Sequence, residues 1–174
     1  MDIKFIKNKQ GISIIEVIAA IMIITIGMIG VLSLVIQNIK AQYINKNVLI
    51  ASGLAQEGLE LVRNIRDNNW LAEGNNWKLG DGVDPNTNIT QDGEYAIDYS
   101  LGIIDVDDLA SARLYIDSNG FYTGAAAGNA PTDFYRLITV LDQGDYLDVI
   151  SAIRWNDGGQ NHYYTAETYL YDWR

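Results

Sequence analysis

Glu16 is the residue whose type and place most demand a chemical explanation. It heads residues 17–39, a stretch of 23 residues without Asp, Glu, Lys, Arg or His. Neither lipid nor a dry core solvates a carboxylate, so a formal charge there is expensive. Upstream lie Lys4, Lys7 and Lys9, and Gly11 separates this basic segment from the apolar run.

Other chemistry is thin. The chain has no cysteine and one histidine, His162. Thiolate nucleophiles, disulfides and His-rich metal sites are therefore excluded, and His162 reads as a strand residue at the surface. No nucleophile elbow or phosphate-binding glycine loop is present, so catalysis has no support. Asp84, Asn86 and Asn88 match the first three ligand spacings of a calcium loop. Ile89, however, stands where such a loop needs glycine, and Tyr95 where it needs a bidentate Glu. Asp105, Asp107 and Asp108 form a second acidic cluster. Solvated turns explain both groups, and no metal or cofactor is expected. The Tyr and Trp residues beyond 70 suit the core of a small sheet, with a carbohydrate-binding or adhesive face as the alternative.

The 174 residues carry a formal net charge of -10. Losing residues 1–11 would remove three lysines and one aspartate and take that charge to -12. An acidic product repels phosphate backbones, so nucleic acid is not an expected ligand.

The uncharged run admits several readings. As a helix it spans roughly 34 Å, enough for a bilayer core of about 30 Å. A cleaved secretory signal has a shorter core with small residues after it. A plain signal anchor explains the length and the basic flank but leaves Glu16 unexplained, and a buried soluble helix explains neither. The lysines predict a cytoplasmic N-terminus and an exterior C-terminal part.

The helical pattern continues beyond the run. Ile39, Tyr43, Val48, Ala51, Ala55, Leu59, Val62 and Ile65 form one apolar stripe, with Lys40, Lys46, Gln56, Glu60, Arg63 and Arg66 opposite. No proline interrupts residues 12–69, which predicts one helix of about 87 Å. Glu57 and Glu60 precede Arg63 and Arg66, as intrahelical pairing favours. Gly27, Gly30, Gly53 and Gly58 weaken helicity. At Gly27 and Gly30 two readings stay open, close helix packing and a segment able to melt.

Beyond Trp70 the pattern changes. Gly, Asn and Asp crowd residues 73–93, which is loop chemistry. Residues 94–103 alternate Tyr95, Ile97, Tyr99, Leu101 and Ile103 and predict a strand. Residues 113–116 and 121–123 flank a turn at 117–120; residues 134–141 and 146–155 flank another at 142–145. A Tyr-rich strand over 162–172 follows a turn at 156–159. Short connections predict antiparallel neighbours. Such a sheet has one apolar face, and the stripe on residues 39–66 needs a cover. The expected fold class is α+β: one long N-terminal helix with a C-terminal antiparallel sheet packed on its second half.

The segment Lys7, Asn8, Lys9, Gln10, Gly11, Ile12, Ser13, Ile14, Ile15, Glu16 and Val17 resembles the processing site of type IV prepilins and pseudopilins. There a basic leader ends in Gly, followed by an apolar residue, Thr or Ser, two apolar residues, Glu and a spanning helix. This sequence has Gln10, Ile12 and Ser13 where a basic residue, Phe and Thr are commoner, and lacks the helix-disrupting proline of many filament-forming pilins. The resemblance is specific over the first 40 residues or so. The continuation through residues 54–63 is similar to minor pilins of the PilV-like or GspI-like class.

The resemblance implies a pilin fold with four parts: a leader at 1–11, a transmembrane and assembly half-helix at 12–38, an amphipathic half at 39–69 and a globular head at 70–174. It implies cleavage between Gly11 and Ile12 by a prepilin peptidase and N-methylation of Ile12. It implies that Glu16 pairs with the Ile12 ammonium of a neighbouring subunit, fixing register in the filament. The implied partners are the peptidase, other pilins or pseudopilins, an inner-membrane assembly platform and, before assembly, membrane lipid. The head would lie outside the membrane, then in an extracellular or periplasmic filament. A type II secretion pseudopilin and a membrane-anchored surface binding or adhesion module are the alternatives.

Overall fold

The computed structural model describes residues 11–80, 82, 84, 88–89, 92–99, 102–106 and 108–172. One helix, α1, runs over Ile14–Leu71, and its 58 residues are followed by an antiparallel sheet of seven strands. The fold is α+β, as the patterning predicts. The chain divides into two units, one ending at Asn45 and the other running from Lys46.

In the first unit the described residues are exposed, and from 17 to 39 they are mostly apolar and uncharged. Ile14 is 81% exposed, and the side chains through Ile39 are exposed likewise. In the second unit α1 is amphipathic in fact as well as in pattern. Ala51, Leu54, Ala55, Gly58, Leu59, Val62 and Ile65 are buried, at the three-to-four-residue spacing that brings side chains onto one face. The expected stripe is corrected at its N-terminal end. Ile39 and Tyr43 are 61% and 53% exposed and Val48 is exposed too, because the sheet covers α1 only from about Asn47 onward.

The sheet is built on β5 (Ala130–Asp142) and β6 (Tyr146–Asp157), paired along residues 134–142 and 147–155. β7 (Gln160–Tyr171) pairs along the other edge of β6. The free edge of β5 is shared. β1 (Gly93–Ile97) takes residues 138–140, with β2 (Ile103–Asp105) outside it; β3 (Arg113–Ile116) takes residues 130–135, with β4 (Tyr122–Thr123) outside that. The turn between β6 and β7 centres on Gly158 and Gly159, both at positive φ (58° and 86°). A two-residue hairpin turn of this kind needs that conformation at both positions, which glycine adopts without penalty.

One strand expectation is overturned. Residues 94–103 are not a single strand, since β1 ends at Ile97 and the chain returns as β2, with Ile97 opposite Ile103. The β3–β4 hairpin holds the bend: Thr123 Oγ1 donates to Asp98 at 2.9 Å, and the Tyr99 hydroxyl donates to Asp117 at 3.1 Å. Tyr99 is therefore exposed rather than in the core.

Burial alternates along β6, with Leu147, Val149, Ser151, Ile153 and Trp155 inward. Facing α1 are two apolar clusters. Ala51, Leu54 and Ala55 meet Leu114, Phe134, Ile153 and Trp155. Leu59, Val62 and Ile65 meet Ile89, Tyr95, Ile97, Ile138, Val140, Leu147, Val149 and Leu170. Each fully buried Val or Ile contributes about 1.5–3 kcal/mol.

Between the clusters lies a polar belt. Arg136 is 1% exposed and donates to the carbonyls of Leu54 (3.2 Å) and Ile97 (2.7 Å). Its guanidinium also pairs with Glu57 at 3.1 Å. Glu57 thus pairs across to the sheet rather than along the helix, while Glu60 pairs with Arg63 as expected. Arg66 bonds Asp67 at 2.6 Å and the Tyr171 carbonyl at 3.1 Å.

Candidate functional site

The start of α1 carries the residues singled out from sequence. Gly11, Ile12 and Ser13 precede the helix and are exposed. The Ser13 carbonyl accepts the amides of Glu16 at 3.0 Å and Val17 at 3.2 Å, so Ser13 is the N-cap and Glu16 stands three residues later. The carboxylate lies in the first turn, where the helix dipole favours negative charge. Lys4, Lys7, Lys9 and Gln10 lie outside the described residues.

A Cβ built on Gly11 meets nothing within 4 Å. Crowding by the described residues therefore does not require glycine there. The same holds for Gly27 and Gly30, which meet no neighbour within this chain. Among the described residues one helix, α1, is long and apolar enough to cross a membrane, and the apolar window that qualifies it is wholly unburied.

In the head, the sheet face turned away from α1 is rich in tyrosine. Tyr163, Tyr169 and Tyr171 are exposed on β7, and Tyr146 of β6 packs against Tyr169 (5.6 Å between ring centroids) and Tyr171 (5.3 Å). The Tyr169 hydroxyl donates to Glu167, whose carboxylate pushes the phenol up to about 12. Asp148 stands opposite Tyr169 in the register; partial burial and then Glu167 hold its carboxyl above the ordinary aspartate range. The sequence predicts that the Tyr and Trp residues beyond 70 lie mainly in the core, with an adhesive face as the alternative. Phe134, Trp155 and Tyr95 are there, whereas this tyrosine set is on the surface.

The remaining candidates have local roles. His162 stacks on Trp155, 5.3 Å between centroids at an interplanar angle of 17°. Asp108 accepts the amide of Ser111 at 2.9 Å and its hydroxyl at 3.0 Å, bonds that hold its carboxyl low. Asp117 is likewise held low, first by the amide of Phe121. Asn86, Asp107 and the side chain of Asp105 lie outside the described residues. Ile89 is buried in the core, so the position where a calcium loop needs glycine serves packing instead. Among the described residues no three His, Asp or Glu side chains converge as metal ligands do.

No family model, curated protein or solved structure matches this chain.

Proposed function

We propose that this chain is a minor pilin-like structural subunit of a type IV pilus or a related filament. It is processed by a prepilin peptidase between Gly11 and Ile12, methylated at Ile12 and assembled through the N-terminal part of α1. The observation that carries the reading is Glu16, the one carboxylate in the first turn of a helix whose next 23 residues are uncharged and uncovered. Before assembly the apolar segment lies in lipid with its basic leader on the cytoplasmic side; afterwards it lies among the helices of other pilins. Glu16 then meets the Ile12 ammonium of a neighbour, a pairing that sets register. A type II secretion pseudopilin would use the same residues in the same way.

Mass spectrometry of the N-terminus of membrane-extracted protein tests processing. The expected mature chain begins with N-methylated Ile12, and Gly11→Val abolishes cleavage while leaving the head folded, since nothing crowds that position. A chain that keeps Met1, or that begins beyond residue 39, overturns the proposal.

A second reading, a membrane-anchored binding or adhesion module, draws support from the exposed tyrosines of β7. In that case the N-terminal helix only delivers the head, and Glu16 is dispensable.

A further inference from the structure

The two ends of the outer sheet face treat their tyrosines differently. At one end Tyr135 of β5 lies beside Arg154 of β6, and the Arg154 guanidinium sits 4.2 Å from the ring centroid. Arg113 of β3 approaches the same ring at 5.7 Å. This ring is supplied with cations by the chain itself. At the other end Tyr146, Tyr169 and Tyr171 form a contiguous set with Asp148 and Glu167 among them. Arg154 is six residues from Asp148, about 20 Å along the strand. Among the described residues no Lys, Arg or His nitrogen pairs with Asp148 or Glu167.

This end therefore presents aromatic faces and two uncompensated carboxylates. Tyr169 and Tyr171 are 51% and 52% exposed, so the rings are open to a partner. The charge is complementary to a cation and repels an anion. A divalent metal would want several converging oxygen ligands, and two carboxylates beside rings do not supply them. A guanidinium satisfies both halves, stacking on a tyrosine while donating to a carboxylate.

We propose that the Tyr146, Tyr169 and Tyr171 face, with Asp148 and Glu167, is a docking surface for an arginine side chain of a partner polypeptide. The partner's guanidinium takes up on this end of the sheet the relation that Arg154 has with Tyr135 on the other. The inference concerns the head and stands whichever reading of the N-terminal helix holds.

The test uses the full chain in neutral detergent micelles and two blocked peptides, tetra-arginine and its uncharged isostere tetra-citrulline, followed by titration calorimetry. Tetra-arginine is expected to bind and tetra-citrulline not to. Asp148→Asn with Glu167→Gln should weaken tetra-arginine at least tenfold. Tyr169→Ala with Tyr171→Ala, which leaves the charge unchanged, should weaken it severalfold. Glu60→Gln with Glu73→Gln removes the same charge from residues outside the sheet and should change affinity less than twofold. Circular dichroism melts confirm that each variant is folded; a tyrosine variant that fails to fold leaves the two carboxamide variants to decide. Equal weakening by the two carboxamide pairs reduces the attraction to general acidity and overturns the proposal, as does absence of tetra-arginine binding to the unaltered chain.

Discussion

Arg136 of β5 and Glu57 of α1 are 3.1 Å apart across the boundary between helix and sheet, and the arginine is almost wholly buried. Two main-chain carbonyls share the guanidinium with Glu57, one from each layer. The carboxylate is less enclosed, with 39% of its side chain exposed. The two partners should therefore respond unequally to substitution. Arg136→Met is expected to destabilise the head by about 3 kcal/mol or more, since it strands acceptors inside the interface. Glu57→Gln should cost about 1 kcal/mol or less, because solvent already screens it. Chemical denaturation of the full chain in detergent micelles measures both.

Gly58 and Gly53 are predicted to give opposite signs. A Cβ at Gly58 would lie 2.6 Å from Ile138 Cδ1 and 2.7 Å from Ser151 Oγ, both fully buried. Alanine is the better helix former by about 1 kcal/mol, but overpacking typically costs about 1–3 kcal/mol. Gly58→Ala should therefore lower the melting temperature. Gly53 has nothing within 4 Å, so Gly53→Ala should raise it. A rise in both would show that the layers separate freely at the polar belt.

Much of this architecture was legible in the sequence. The helix could be read because 58 residues run without proline and its second half carries a helical period, and β5, β6 and β7 because alternation and turn residues agree. The β1–β2 hairpin was hidden because alternation continues across its bend, whose anchors Asp117 and Thr123 lie 18 or more residues away. Arg136 was missed although it shares parity with Phe134, Ile138 and Val140, a cue that it faces the core. Gly58 looked like three other helical glycines, and only the approach of Ile138 and Ser151 sets it apart.

Lys78 Nζ lies 2.6 Å from Asp142 Oδ1, and this hydrogen bond is the first cause of a carboxyl held below the ordinary range. An unfolded aspartate titrates near about 3.9. Asp142 thus contributes stability above that pH, lost as pH falls through its lower folded value. Asp148 has the opposite sign, since its raised folded value makes ionisation unfavourable in the native state. At pH 7, Lys78→Met should lower the melting temperature and Asp148→Asn should raise it. Well below about pH 4, where the carboxyls are protonated folded or unfolded, the Asp148→Asn difference should shrink toward zero, and the Lys78→Met difference should shrink to the part carried by the Lys78 bond to the Gly144 carbonyl (2.7 Å). Melts of the three proteins at several pH values check this.

The second unit should stand alone. Burial along α1 begins near Asn47, and the apolar clusters are completed by residues from Ala51 onward. A chain shortened to begin at Lys46 is expected to be a soluble monomer with mixed helix and sheet and a cooperative melt. Starting instead at residue 39 adds the exposed Ile39, Tyr43 and Ile44 and should increase self-association. Analytical ultracentrifugation separates the two. Aggregation of the shorter chain would mean that other subunits, rather than its own sheet, cover the stripe.

Glu16 distinguishes an assembling subunit from a delivered module. Valine suits lipid better than a carboxylate, so Glu16→Val should leave membrane insertion and cleavage after Gly11 intact. Losing a carboxylate from the first turn should cost the helix start about 1 kcal/mol or less, too little to unseat a segment of 23 uncharged residues. In a filament the consequence is larger. The Ile12 ammonium of a neighbouring subunit would remain buried without its counter-charge, a cost of about 3–5 kcal/mol for a broken buried pair. Incorporation should therefore fail while cleavage persists. The measurement is to shear filaments from cells and blot them for this chain, unaltered beside Glu16→Val, with processing checked in the membrane fraction. Equal recovery of both in the sheared fraction defeats the assembly role. Loss of the variant from filaments, with normal cleavage in the membrane, is the outcome that a passive anchor does not produce.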